Sequence, residues 1–223
     1  MAQRVYKISR KGMMLKYFDV SFESPVNPGK MLLPEAVFFD GQHLWLSNSR
    51  PTESYLYRLD LKGNIIKIFN MSSVDLDIGG ITVVGKYLYL TGRRNYKIYQ
   101  MDFSGNLIRS IDIEPVDVDS RGICFDSKNI WLVGVFDLVI NKIDFSGNLL
   151  KSVNVGSLDN KPAGLFFDGA YLSFFGNTND KIFKITGYGI SVLLPDLSDP
   201  LNYANGLSFD GKDLYIPVAV VPR

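Results

Sequence analysis

Short runs of alternating apolar and polar residues, punctuated by glycine-centred turns, recur along the whole chain. Tyr55-Leu56-Tyr57-Arg58-Leu59 and Ile66-Lys67-Ile68 have the period of two expected of half-buried strands. No segment carries an apolar stripe at helical spacing, and no linker or low-complexity stretch interrupts the pattern. The segments FFDGQHLWL, VVGKYLYL, CFDSKNIWL, FFDGAYLSF and SFDGKDLYI align on Gly41, Gly85, Ser127, Gly169 and Gly211, at nearly equal spacings along the chain. A second turn follows in LDLKGNII, MDFSGNLI, IDFSGNLL and ITGYGISV, and its Gly63, Gly105, Gly147 and Gly189 repeat with the same period. A period of about 40 residues, held this evenly, marks stacked supersecondary units.

Each unit reads as four short strands. Asp-Gly at the first turn predicts a type I′ hairpin, in which both central residues need positive φ. At the second turn an Asp precedes Gly-Asn, placing a carboxylate where it can accept backbone N–H bonds while the Gly takes the left-handed conformation. The first strand pair occurs five times but the second only four times after it. The missing copy is N-terminal: Val5–Ser9, a turn at Gly12, then Met13–Tyr17. The chain therefore reads as one all-β domain over residues 1–223, a five-bladed β-propeller with four antiparallel strands per blade. Residues 1–19 supply the outer strand pair of the closing blade, residues 35–204 four complete blades, and residues 205–223 the inner pair of the closing blade. Sharing a blade between the two ends removes the unpaired edges that invite aggregation.

Composition narrows the function. Of 223 residues, 46% are hydrophobic and 21% charged, and the formal net charge is +1. That balance gives no strong nucleic-acid signal and no broad attraction to anionic membrane. The first residues show no secretion signal and no stretch is apolar enough to span a bilayer, so a soluble, cytoplasmic monomer is expected. Cys124 is the only cysteine, which rules out an intrachain disulfide and reads as a small buried hydrophobe. His43 is the only histidine and sits beside a scaffold turn. A Ser-His-Asp or Cys-His mechanism is therefore close to excluded. Trp45, Tyr89, Trp131 and Tyr215 share one strand position and read as packing between blades.

The segment Asn205-Gly206-Leu207-Ser208-Phe209-Asp210-Gly211-Lys212-Asp213-Leu214-Tyr215 resembles the blade motif of NHL-like and gluconolactonase-like propellers. Pro34-Glu35-Ala36-Val37-Phe38 is similar to the first-blade Glu motif of the latter. The resemblance implies a divalent cation such as calcium on the axis, held by Glu35 and Asn205, and lactone hydrolysis. The chain departs from that pattern, with Arg121 where the resemblance calls for an Asp and with Gly79 and Ala163 at the remaining positions. It also has five blades where most such propellers have six or seven.

The short repeated turns look like scaffold, so a site is expected among the variable connections at the other end. These are residues 21–35, 71–79, 113–121, 155–163 and 196–205, together with 48–54, 92–96, 134–139 and 176–181. Glu35, Gly79, Arg121, Ala163 and Asn205 are equivalent positions bordering the axis, each before a small residue: Ala36, Gly80, Gly122, Gly164 or Gly206. Glu35, Arg121 and Asn205 converge on one axis and can bind a small polar ligand; alternatively Glu35 and Arg121 pair with each other. Arg93-Arg94-Asn95 offers a fork of donors for a phosphate or carboxylate. Asn177-Thr178-Asn179-Asp180 reads as a turn with donors for a sugar. Asp75, Asp77, Asp117, Asp119 and Asp159 read as solvated turn carboxylates, with calcium binding as the alternative. Acid–base chemistry of the glycosidase kind needs two or three axial acids, here Glu35 with Asp119 or Asp77. The reading that results is a non-catalytic binding propeller without a cofactor, for a small polar ligand or a protein partner. A divalent-metal hydrolase at Glu35 and Asn205 is its alternative.

Overall fold

In the computed structural model, residues 2–20, 23–29, 33–186, 189–194 and 206–220 are described. The strands form five four-stranded antiparallel sheets, and no helix occurs among the described residues. The first blade is β3 (Leu33–Phe39), β4 (Leu44–Arg50), β5 (Glu53–Leu59) and β6 (Ile65–Asn70). The second is β7 (Ile78–Val84), β8 (Tyr87–Gly92), β9 (Lys97–Asp102) and β10 (Leu107–Asp112). The third is β11 (Ser120–Phe125), β12 (Ile130–Gly134), β13 (Val139–Ile143) and β14 (Leu149–Asn154). The fourth is β15 (Pro162–Phe167), β16 (Leu172–Gly176), β17 (Lys181–Thr186) and β18 (Gly189–Leu194).

The closing blade joins both ends of the chain. Its order is β19 (Ser208–Phe209), β20 (Asp213–Val220), β1 (Ala2–Ser9) and β2 (Met14–Asp19). β1 pairs with β20 along its whole length, from Ala2 opposite Val220 to Ser9 opposite Asp213.

The alternation read from the sequence builds five separate cores, one in each wedge between neighbouring blades. Leu44 and Leu46 face one wedge, with Val5 and Tyr215 of the closing blade. Trp45, between them in sequence, faces the next wedge with Ile81 and Leu88. Tyr89 packs with Ile123 and Leu132, Val133 with Leu165 and Phe174, and Phe166 with Tyr6 and Ile216. The central strands of each blade thus serve two cores, as a period of two requires, while outermost strands such as β6, β10 and β14 are largely exposed and serve one.

Both turn types are tied by aspartates. Asp40 Oδ1 accepts the N–H groups of Gln42 and His43, and Oδ2 accepts the indole N–H of Trp45 at 2.7 Å. Asp126 does the same for Lys128, Asn129 and Trp131. The aromatic positions therefore hydrogen-bond as well as pack. The expected type I′ geometry is corrected here, because the central residues follow the Asp and positive φ occurs at Gly41, Gly169 and Gly211 but not at the next residue, Gln42, Ala170 or Lys212. One positive φ at the first central residue is the requirement of the II′ class. The Asp side chain caps the turn from an ordinary backbone conformation. At the second turn Asp60, Asp102 and Asp144 accept two N–H groups each, while Gly63, Gly105 and Gly147 take φ of 91°, 100° and 90°.

On the axis the inner strands touch in a closed cycle, β3 to β7, β11, β15, β19 and back to β3. The small residues after the ring positions explain how. A β-carbon on Gly122 would stand 2.9 Å from the backbone N of Leu165. On Gly164 it would stand 2.7 Å from that of Leu207, and on Gly206 2.8 Å from that of Val37. At Gly80, Gly122, Gly164 and Gly206 the sheets meet backbone against backbone, closer than a β-carbon allows, while the first blade accommodates Ala36 at the same level.

Candidate functional site

Three of the ring residues are β-bulges. The register of β3 against β4 slips between Pro34 and Ala36, that of β7 against β8 between Ile78 and Gly80, and that of β11 against β12 between Ser120 and Gly122. Glu35, Gly79 and Arg121 are the extra residues. A bulge kinks the strand and re-aims the side chain it carries, which turns these residues toward the mouth of the axis. In the fourth blade the slip falls one residue later, at Gly164, and Ala163 is buried. Asn205 lies outside the described residues.

Gly79 supplies no side chain, and Arg93 from the β8–β9 connection occupies the space above it. The Arg93 guanidinium engages three carboxylates. Nε donates to Asp119 Oδ1 at 2.7 Å, and Nη1 reaches Asp77 Oδ1 at 3.2 Å and Glu35 Oε2 at 3.4 Å. Arg121 Nε donates to the other oxygen of Asp119 at 3.2 Å. Glu35 therefore pairs with Arg93, while Arg121 acts on it as a neighbouring charge. Burial pushes the Glu35 carboxyl up to about 7, reinforced by Asp77 and Asp119 and opposed by the two arginines. Burial pulls Arg93 down, but Asp77, Glu35 and Asp119 outweigh it and raise its pKa.

The cluster of Glu35, Asp77, Asp119, Arg93 and Arg121 carries one net negative charge when fully ionised, and none when Glu35 is protonated. Arg93 is nearly buried, and its three carboxylate partners leave it little capacity for an added anion. Arg121 is the more open of the two. Its terminal nitrogens have no hydrogen-bond partner among the described residues. The carboxylates that would hold a divalent cation converge on a guanidinium, and no group of three potential metal ligands occurs among the described residues.

The other predicted rim residues behave differently. Arg94 is exposed and contributes its backbone N–H to Asp75, so it does not join Arg93 in a fork. The Asn177 N–H donates to Lys161 O, and Thr178 and Asn179 donate theirs to Asp159.

The expectation of solvated aspartates is overturned for Asp75, Asp117, Asp119 and Asp159, all of which are buried. Asp75 and Asp159 each fold under the neighbouring loop and cap its N–H groups, those of Arg94 and Asn95 or of Thr178 and Asn179. Asp117 is the exception. Its Oδ1 accepts the Asp119 N–H, but Oδ2 makes no hydrogen bond of good geometry, the Ser120 hydroxyl beside it included. Burial, with Asp137 and Asp119 nearby, pushes its carboxyl up to about 6 against the Asp119 N–H and the Ser120 hydroxyl. These capping roles had a readable signal. Asp75, Asp117 and Asp159 repeat with the period of the blades, as do Gly92, Gly134 and Gly176, against which they pack.

No protein-family model and no curated protein matches the chain. Solved structures with the same fold do exist. Glutaminyl cyclase from Myxococcus xanthus is 13% identical, with 98% of this chain and 95% of that chain covered and a TM-score of 0.65. A chain of a nidogen/laminin complex is 17% identical, with 97% and 85% covered and a TM-score of 0.65. Virginiamycin B lyase from Staphylococcus aureus is 17% identical, with 96% and 74% covered and a TM-score of 0.54. A cyclase, a lyase and a nidogen/laminin complex on one scaffold show the propeller fold alone. No helix of the described residues is long and apolar enough to cross a membrane.

Proposed function

We propose that the protein is a non-catalytic binding propeller whose loop-rich face takes a small polar ligand with a carboxylate or similar acceptor-rich end. One observation carries this reading: Arg121 projects from a bulge at the axial mouth, fixed through Nε by Asp119, with its terminal nitrogens unengaged among the described residues. A guanidinium held by one edge and open at the other is suited to carboxylate recognition. Arg93 serves as the counter-charge that keeps Glu35, Asp77 and Asp119 together beneath it. The blade motif at residues 205–215 supports kinship with NHL-like and gluconolactonase-like propellers.

The test is calorimetry or thermal shift with acetate, lactate, succinate and citrate. Saturable binding of at least one, lost in Arg121→Ala and partly kept in Arg121→Lys, supports the proposal. A tightly bound divalent ion that disappears in Glu35→Gln replaces it with the metal-hydrolase reading. Equal responses of the wild type and Arg121→Ala remove Arg121 from the site.

A further inference from the structure

The opposite mouth of the axis, beside the scaffold turns, holds an open cavity of about 150 Å³. Its walls come from the inner strands of all five blades. Phe38, Thr82, Cys124, Phe166 and Ser208 hold one equivalent position in the repeat, so the cavity is ringed at a single level. Phe209 adds a further aromatic face. No charged residue lines it among the described residues.

The polar members of the ring are unusual. Thr82 is 2% exposed, yet its hydroxyl has no hydrogen-bond partner among the described residues. Ser208 accepts the Phe39 N–H at 2.9 Å, but its own proton has no acceptor there. Both hydroxyls line the open cavity, where they can donate to whatever occupies it. Burial raises the Cys124 thiol far above its usual range, so it stays neutral. The level thus combines aromatic walls with two unengaged O–H donors and no charge. An ion placed there would lose its hydration without compensation. A neutral ring would gain apolar contact, and one hydrogen-bonding atom would satisfy Thr82 or Ser208. A cavity of this size, with mixed aromatic and polar lining, has room for a single benzene-sized ring.

We propose that this cavity is a second ligand site, for a small neutral monocyclic compound with one hydrogen-bonding group, of the size and polarity of phenol. It lies at the other end of the inner strands from Arg121 and does not depend on that residue.

The experiment is a titration of the full chain by two-dimensional NMR with phenol, benzene and benzoate. Phenol is expected to give saturable shifts confined to the inner-strand ends, with benzene about tenfold weaker and benzoate inactive. Thr82→Val, which keeps the shape and removes the hydroxyl, is expected to weaken phenol about tenfold and leave benzene unchanged. Arg121→Ala is expected to leave phenol binding intact. A cavity that holds only water gives no saturable shift with phenol, and that result overturns the proposal. So does benzoate binding as well as phenol, or phenol binding unaltered in a folded Thr82→Val protein.

Discussion

Gly79 and Arg93 share one place at the mouth of the axis, where a β-carbon on Gly79 would stand 2.5 Å from Arg93 Cδ. The missing side chain on one element is what admits the long side chain from another. Arg93 then joins carboxylates of three different inner-strand connections: Glu35, Asp77 and Asp119. Arg93→Ala leaves those carboxylates buried without their main counter-charge. Urea unfolding at pH 8 is expected to show a loss of about 3–5 kcal/mol, the range for breaking a buried pair from one side. Gly79→Ala is expected to cost about 1–3 kcal/mol by crowding Arg93 and the Ser120 carbonyl.

Glu35 sets a pH dependence of unusual sign. Its folded carboxyl is raised to about 7 from an ordinary 4.5. Below about 4.5 both states hold the proton and the full contribution is present. As pH rises toward 7 the unfolded state gives up the proton first, and stability falls. Glu35→Gln keeps an acceptor for Arg93 and removes the ionisation. Its stability relative to the wild type should increase across that window, by up to about 3 kcal/mol, in melts recorded from pH 4 to pH 8.

Protonation of Glu35 also removes a negative charge beside Arg121. If a small carboxylate binds there, its affinity in calorimetry should be higher at pH 6 than at pH 8. The difference should vanish in Glu35→Gln.

Asp117 offers a local stabilisation. With Oδ2 making no hydrogen bond of good geometry and its pKa raised to about 6 from 3.8, the ionised form is the costly one. Asp117→Asn is expected to raise stability at pH 8 by about 1–3 kcal/mol, with the gain shrinking as pH falls through 6 toward 4. Asp75→Asn is the contrast. Asp75 oxygens accept from Arg94, Asn95 and Tyr99, so an amide NH₂ there meets donors and should destabilise.

Removal of residues 1–19 should unfold or oligomerise the protein. β20 would lose its partner β1, and the Tyr6 and Val5 contributions to two cores would go with it. Size-exclusion chromatography and thermal melting check this; a truncated monomer of unchanged stability contradicts the shared blade.

The blade count, the strand order and the closure were legible because they follow from local alternation and an evenly held repeat. The hairpin class was not, since Asp40 and Asp126 cap their turns with side chains and the residue after Gly41 or Ser127 needs no positive φ. Glu35 and Arg121 could be placed near the axis by alignment. Their status as bulges could not, because a bulge is defined only against the register of the partner strand. Arg93 was visible as loop charge, but its recruitment over Gly79 depends on how one loop lies across a neighbouring strand. Burial of Asp75 and Asp159 is likewise created by loops folding over them.

The close approach at Gly80, Gly122, Gly164 and Gly206 bears on how the ring holds together. A ring of five places neighbouring inner strands at a sharp angle to one another, and the close approach at these positions belongs to that angle. A larger residue at any of the four would have to push two neighbouring blades apart, so the glycine level works as a hinge pin for the whole ring.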